Sequence, residues 1–105
     1  INFANAALTS GNGKLAEKLL REFLLQNPNH PLALDLLTRV YEKSGKRAAM
    51  YETRAEALAL RGNFSLAINQ LHTAHNHTAN DITRKRINAR IDQLRALENQ
   101  ARNIM

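Results

Sequence analysis

Apolar residues recur along the chain at helical rather than strand spacing, in blocks of 9 to 23 residues separated by glycine, proline and asparagine. Residues 2–10 place Phe3, Ala4, Ala7 and Leu8 on one face and predict a first helix that stops at Gly11-Asn12-Gly13. In 14–26, Leu15, Ala16, Leu19, Leu20 and Phe23 fall at i, i+1, i+4, i+5 and i+8, an amphipathic stripe closed by Asn27-Pro28-Asn29-His30-Pro31. Pro28 disfavours helix in the residue before it, whereas Pro31 suits a first turn in which its missing N–H costs nothing. Residues 31–44 bury Leu34, Leu37, Val40 and Tyr41 and end at a glycine cap, Gly45. The spacing predicts further helices over 47–61 (Met50, Tyr51, Ala55, Leu58) and 64–76 (Phe64, Ala67, Ile68, Leu71, Ala74). A polar break, His75 to Asn80, precedes a longer helix from Asp81, read as its N-cap, to about Asn103, carrying Ile87, Ile91, Leu94, Leu97 and Ala101.

The turns keep time. Gly11 to Gly45 is 34 residues and Gly45 to Gly62 is 17, one period and one half period of a two-helix unit. Gly11 with Ala16, Leu20, Phe23 and Pro28 resembles the second half of a tetratricopeptide repeat, and 31–45 resembles the first helix of the next, with Thr38 where a small residue is preferred. Tyr51, Ala55, Leu58, Gly62, Phe64, Ala67, Leu71 and Ala74 form a closer match. Because that unit begins 17 residues after Gly45, the fourth helix must serve two hairpins at once. The expected fold is all-α, a tetratricopeptide-like solenoid of about six antiparallel helices with a long C-terminal capping helix, one domain over residues 1–105.

Charge and chemistry narrow the function. A net charge of +6 raises nucleic-acid binding, but 1–78 and 79–105 each carry +3 and the one basic run, Arg84-Lys85-Arg86, points three ways around a helix. No aromatic residues interleave with it, so no nucleic-acid partner is expected. No apolar run approaches the roughly 20 residues of a membrane-spanning helix. The absence of cysteine excludes disulfides and thiolate metal sites. His72, His75 and His77 have metal-compatible spacing but no nearby acid or cysteine, and read as histidines at a helix C-terminus. No nucleophile motif or phosphate-binding glycine loop occurs, so no catalytic, metal or cofactor-binding residue is expected.

Arg54-Ala55-Glu56-Ala57-Leu58-Ala59-Leu60-Arg61-Gly62 and Ala89-Arg90-Ile91-Asp92-Gln93-Leu94-Arg95 resemble the C-terminal tail of the periplasmic β-barrel assembly-enhancing proteases of Gram-negative bacteria. Those are zinc peptidases of the HExxH type with a C-terminal tetratricopeptide domain. The resemblance implies that the chain is a C-terminal fragment of a longer periplasmic protein, zinc belonging to a peptidase domain outside these residues. It also implies contact with outer-membrane barrel proteins or their assembly machinery.

Repeat positions then nominate a protein-binding groove of Asn2, Asn5, Asp35, Arg39, Glu42, Glu52 and Glu56. Arg54 stands where the pattern wants an apolar side chain and is expected to latch onto the last helix through Asp92, or secondly Glu98. The rival readings are a cytoplasmic adaptor or secretion chaperone of the same fold, a basic nucleic-acid module, and a free-standing histidine metal site.

Overall fold

The computed structural model describes residues 1–104. Six helices run in order: α1 (Asn2–Thr9), α2 (Gly13–Gln26), α3 (Pro31–Ser44), α4 (Arg47–Leu60), α5 (Phe64–Asn76) and α6 (Asp81–Ile104), with no strand among the described residues. Each helix packs chiefly on its neighbours in sequence, giving an elongated body of 46 × 31 × 20 Å. α4 packs on both α3 and α5, the double role that the halved repeat spacing demands.

The same local chemistry ends three of the helices. At Gly45 (φ 74°) the chain turns left-handed, and Lys46 N–H donates to Tyr41 C=O at 3.0 Å. Gly62 (φ 79°) repeats the geometry, with Asn63 N–H on Leu58 C=O at 2.9 Å, and Gly11 (φ 85°) does so after α1, with Asn12 N–H on Ala7 C=O at 2.8 Å. All three satisfy otherwise orphaned carbonyls in a backbone conformation that L side chains rarely adopt. Asparagine caps two of the helices that begin after these turns: Asn12 Oδ1 accepts from Leu15 N–H at 3.2 Å and Asn63 Oδ1 from Leu66 N–H at 3.3 Å. At α3 the cap is His30, whose Nδ1 accepts from Ala33 N–H at 3.1 Å. At α6 the cap is Asn80 (Oδ1 to Thr83 N–H, 2.8 Å), so the expected cap Asp81 is instead the first helical residue.

Packing is alanine-centred. Ala16, Ala33, Ala55, Ala67 and Ala74 are all wholly buried, which lets neighbouring helix backbones approach closely. One apolar cluster joins α1 to α4 around Leu20, Leu37 and Val40, and another joins α4, α5 and α6 around Leu71, Ile87 and Leu94. Tyr51 touches both clusters and bridges them through α4. Thr38 is buried in α3, its hydroxyl donating to Leu34 C=O at 2.8 Å, so no polar atom is stranded there. Three expected core residues prove exposed: Phe3 (83%), Leu15 and Leu97. Ala4, Ala7 and Leu8 alone seat α1 on α2, leaving Phe3 on the outer side of the short helix.

Candidate protein-binding surface

Four of the seven nominated groove residues line one cleft. Asn2 and Asn5 of α1 face Asp35 and Arg39 of α3 across a space of about 240 Å³, with Leu32 and Leu36 between them. Asp35 forks with Arg61 from the end of α4, accepting bonds of 3.2 and 2.8 Å, so its charge is engaged within the molecule. Arg61 is held more firmly cationic by that carboxylate. Arg39 is exposed and forms no ion pair among the described residues, which makes it the available charge of this cleft.

Glu52 and Glu56 lie in a second cleft, about 320 Å³, with Leu34 and Leu37 of α3, Leu71 of α5, and Arg86 and Arg90 of α6. A neighbouring cleft shares Leu34, Glu56 and Arg90 and runs on past Phe64, Leu94 and Leu97, so the two form one channel between α3 and α6. Neither glutamate is free. Arg90 donates to Glu56 at 2.9 and 2.8 Å, and Arg86 donates to Glu52 at 3.0, 3.1 and 3.3 Å. Both pairs span 34 residues, one repeat period, so they link equivalent turns of α4 and α6. These contacts join the last helix to α4, and their spacing was legible as acid and base one period apart at two successive turns.

The expected Arg54–Asp92 latch is not made. Arg54 Nη1 donates to Gln70 at 3.3 Å, Nη2 reaches Glu42 at 3.5 Å, and the guanidinium lies 5.7 Å from the centre of the Tyr51 ring. Its side chain is 40% exposed, so no carboxylate is needed to rescue a buried charge. Asp92 is exposed on α6 and makes no ion pair among the described residues, while Glu98, the second choice, pairs with Arg102 within its own helix at 3.6 Å. Glu42, nominated for the groove, is therefore part of the Arg54 cluster. Tyr51 in turn stacks on His77 at 5.4 Å and 16°.

The remaining charged and histidine motifs disperse. His72 Nε2 is 3.4 Å from an Arg95 nitrogen, His77 is stacked on Tyr51, and no three His, Cys, Asp or Glu residues converge as metal ligands among the described residues. Of the basic run, Arg84 donates to Thr78 C=O at 2.7 Å, Lys85 pairs with Asp81 and Arg86 with Glu52. No helix among the described residues is long and apolar enough to cross a membrane.

No protein-family profile matches the chain. Individual relatives do. A beta-barrel assembly-enhancing protease of Yersinia pestis is 36% identical over 103 residues, 97% of this chain and 21% of the relative. The beta-barrel assembly-enhancing protease of Escherichia coli K12 is 32% identical over 99 residues, 93% of this chain and 20% of the relative. The chain thus spans about a fifth of the length of the curated relatives it matches. Over nearly its whole length the chain is homologous to one segment, about a fifth, of the beta-barrel assembly-enhancing proteases.

Proposed function

We propose that the chain is a non-catalytic protein-interaction module of a periplasmic metalloprotease-chaperone that acts in outer-membrane protein quality control. Its ligands, on this reading, are segments of barrel proteins or of their assembly machinery. The observation that carries the proposal is the pair of clefts on either side of α3, one presenting Arg39 with Asn2 and Asn5, the other an apolar channel walled by the Glu52–Arg86 and Glu56–Arg90 pairs. Asparagine amides beside a free cation suit the backbone of a polypeptide ligand, and the exposed Leu32 and Leu97 suit its side chains. The names of the relatives supply the direction: both are described as enhancing β-barrel assembly.

Hydrolysis, and the zinc that the resemblance assigns to a peptidase domain, belong on this reading outside these residues, which contain no HExxH. The engagement of Arg84, Lys85 and Arg86 by groups of the chain itself favours protein over nucleic acid as partner.

The test is retention of a chemically unfolded outer-membrane barrel protein by the purified chain, with and without added zinc. Binding without cleavage, weakened by Arg39→Glu, is expected. Zinc-dependent cleavage of the barrel protein by the chain alone, or retention indifferent to position 39, would overturn the reading.

A further inference from the structure

A separate cleft of about 470 Å³ opens where the α1–α2 and α3–α4 turns meet, and it shares no lining residue with the clefts beside α3. Lys14, Lys43 and Lys46 stand around it, Leu8 and Val40 form its wall, and Glu17 is its lone carboxylate. Glu17 is already neutralised from within, by Lys46 at 2.9 Å and Arg21 at 3.5 Å. Lys14 and Lys43 form no ion pair among the described residues. A contiguous cleft of about 300 Å³ shares Lys14 and Glu17, continues along α2 past Lys18, also without an ion pair among the described residues, then past Arg21 and the exposed Glu22, and ends at Leu25, which is 80% exposed.

Three lysines without ion pairs among the described residues, Lys14, Lys18 and Lys43, outnumber the one such carboxylate, Glu22, so the surface combines a net positive charge with an uncovered apolar side chain. Lys14 and Lys18 are one helical turn apart, about 6 Å along the axis. In an extended chain, alternate residues repeat at about 6.6–6.8 Å, so carboxylates at every second position match that step. The intervening side chains would point to the other face of such a segment, so the apolar residue that reaches Leu25 stands at the next position of the carboxylate face.

We propose that this surface docks an extended acidic polypeptide segment, its alternate carboxylates pairing with Lys18, Lys14 and Lys43 and an apolar side chain covering Leu25. A flat anionic bilayer fits less well, because Lys14, Lys43 and Lys46 surround a recess rather than a flat face. A nucleic acid strand would want exposed aromatic faces for its bases, and none lines either cleft. The proposal stands on residues other than those of the proposed groove, so either can fail alone.

The probe is a fluorescein-labelled peptide, Leu-Ser-Glu-Ser-Glu-Ser-Glu, in which the leucine and the acids share one face, titrated with the chain at low salt and read by anisotropy. A Leu-Ser-Gln-Ser-Gln-Ser-Gln control, vesicles containing phosphatidylglycerol and a short DNA duplex are run beside it. Binding that weakens as salt rises is expected, with the control at least about tenfold weaker. K14E/K43E should abolish it and K14Q/K43Q should reduce it by about tenfold, whereas Lys85→Gln, on α6 and outside these clefts, leaves it unchanged; circular dichroism confirms that each variant folds. No binding, equal binding of the control, indifference to both lysine variants, or tighter binding of vesicles or DNA than of the peptide would each overturn the proposal.

Discussion

Two kinds of contact hold α6 to the rest of the molecule, and their energies differ enough to be separated by mutation. Ile87, Ile91 and Leu94 are 1%, 3% and 0% exposed and fill the cluster shared with α5. Truncating such a leucine removes its transfer energy and leaves a cavity, so Leu94→Ala should cost about 2–5 kcal/mol. The Arg90–Glu56 pair is bidentate, but its side chains remain 34% and 38% exposed. Water screens it, and deleting Arg90 leaves Glu56 solvated rather than stranded, so Arg90→Ala should cost only about 0–1 kcal/mol. For a domain of this size each kcal/mol moves Tm by roughly 4–8 °C, which puts Leu94→Ala at least roughly 8 °C below the parent and Arg90→Ala within that distance. Urea titrations monitored by far-UV circular dichroism give both free energies, and adding Glu56→Ala and the double variant gives the coupling, expected at no more than about 1 kcal/mol. If Arg90→Ala costs as much as Leu94→Ala, the ion pairs rather than the apolar face anchor α6. A Leu94→Ala cost below about 1 kcal/mol would mean that the helix does not dock through that face at all.

Single sites elsewhere give further expected outcomes. Ala16→Leu and Ala67→Leu should each lose about 1–3 kcal/mol by overpacking, because both alanines are wholly buried at helix contacts, and a neutral result in thermal unfolding would show the wrong crossing. Gly45→Ala meets no neighbouring atom within 4 Å, so its cost, about 1–2 kcal/mol, comes from the left-handed backbone alone, and Gly45→Asn should recover part of it. The Lys46 hydrogen bond is the main cause holding the Glu17 carboxyl below its ordinary value of 4.5, against a smaller opposing effect of burial. A lowered folded-state value adds stability that is full above the ordinary value and lost as pH falls through the lowered one, so Glu17→Gln should flatten the acid limb of the stability curve below about pH 4.5. Arg54→Ala should cost under about 1 kcal/mol, and a loss of several would restore a buried role for that guanidinium.

The ends of the helices were written locally. Glycines 11, 45 and 62 take positive φ, Asn12 and Asn63 cap α2 and α5, and Pro31 begins α3, each through groups within a few residues of one another. Periodicity likewise marked the buried faces of α3 and α5, where apolar stripes are broad enough that either neighbour covers them. It failed on α1, because a short helix with one neighbour has one buried side and the stripe offered Phe3 as readily as Leu8. Four of the seven nominated groove residues, Asn2, Asn5, Asp35 and Arg39, share one cleft because they sit at repeat positions whose spacing brings α1 near α3. Charge partners were not legible. The packing of α4 against α3 and α5 brings Glu42 and Gln70 to Arg54, while Asp92 lies exposed on α6. The Glu52–Arg86 and Glu56–Arg90 pairs had their period in the sequence, yet that period becomes a contact only once α5 has folded between α4 and α6 and set the two helices in step.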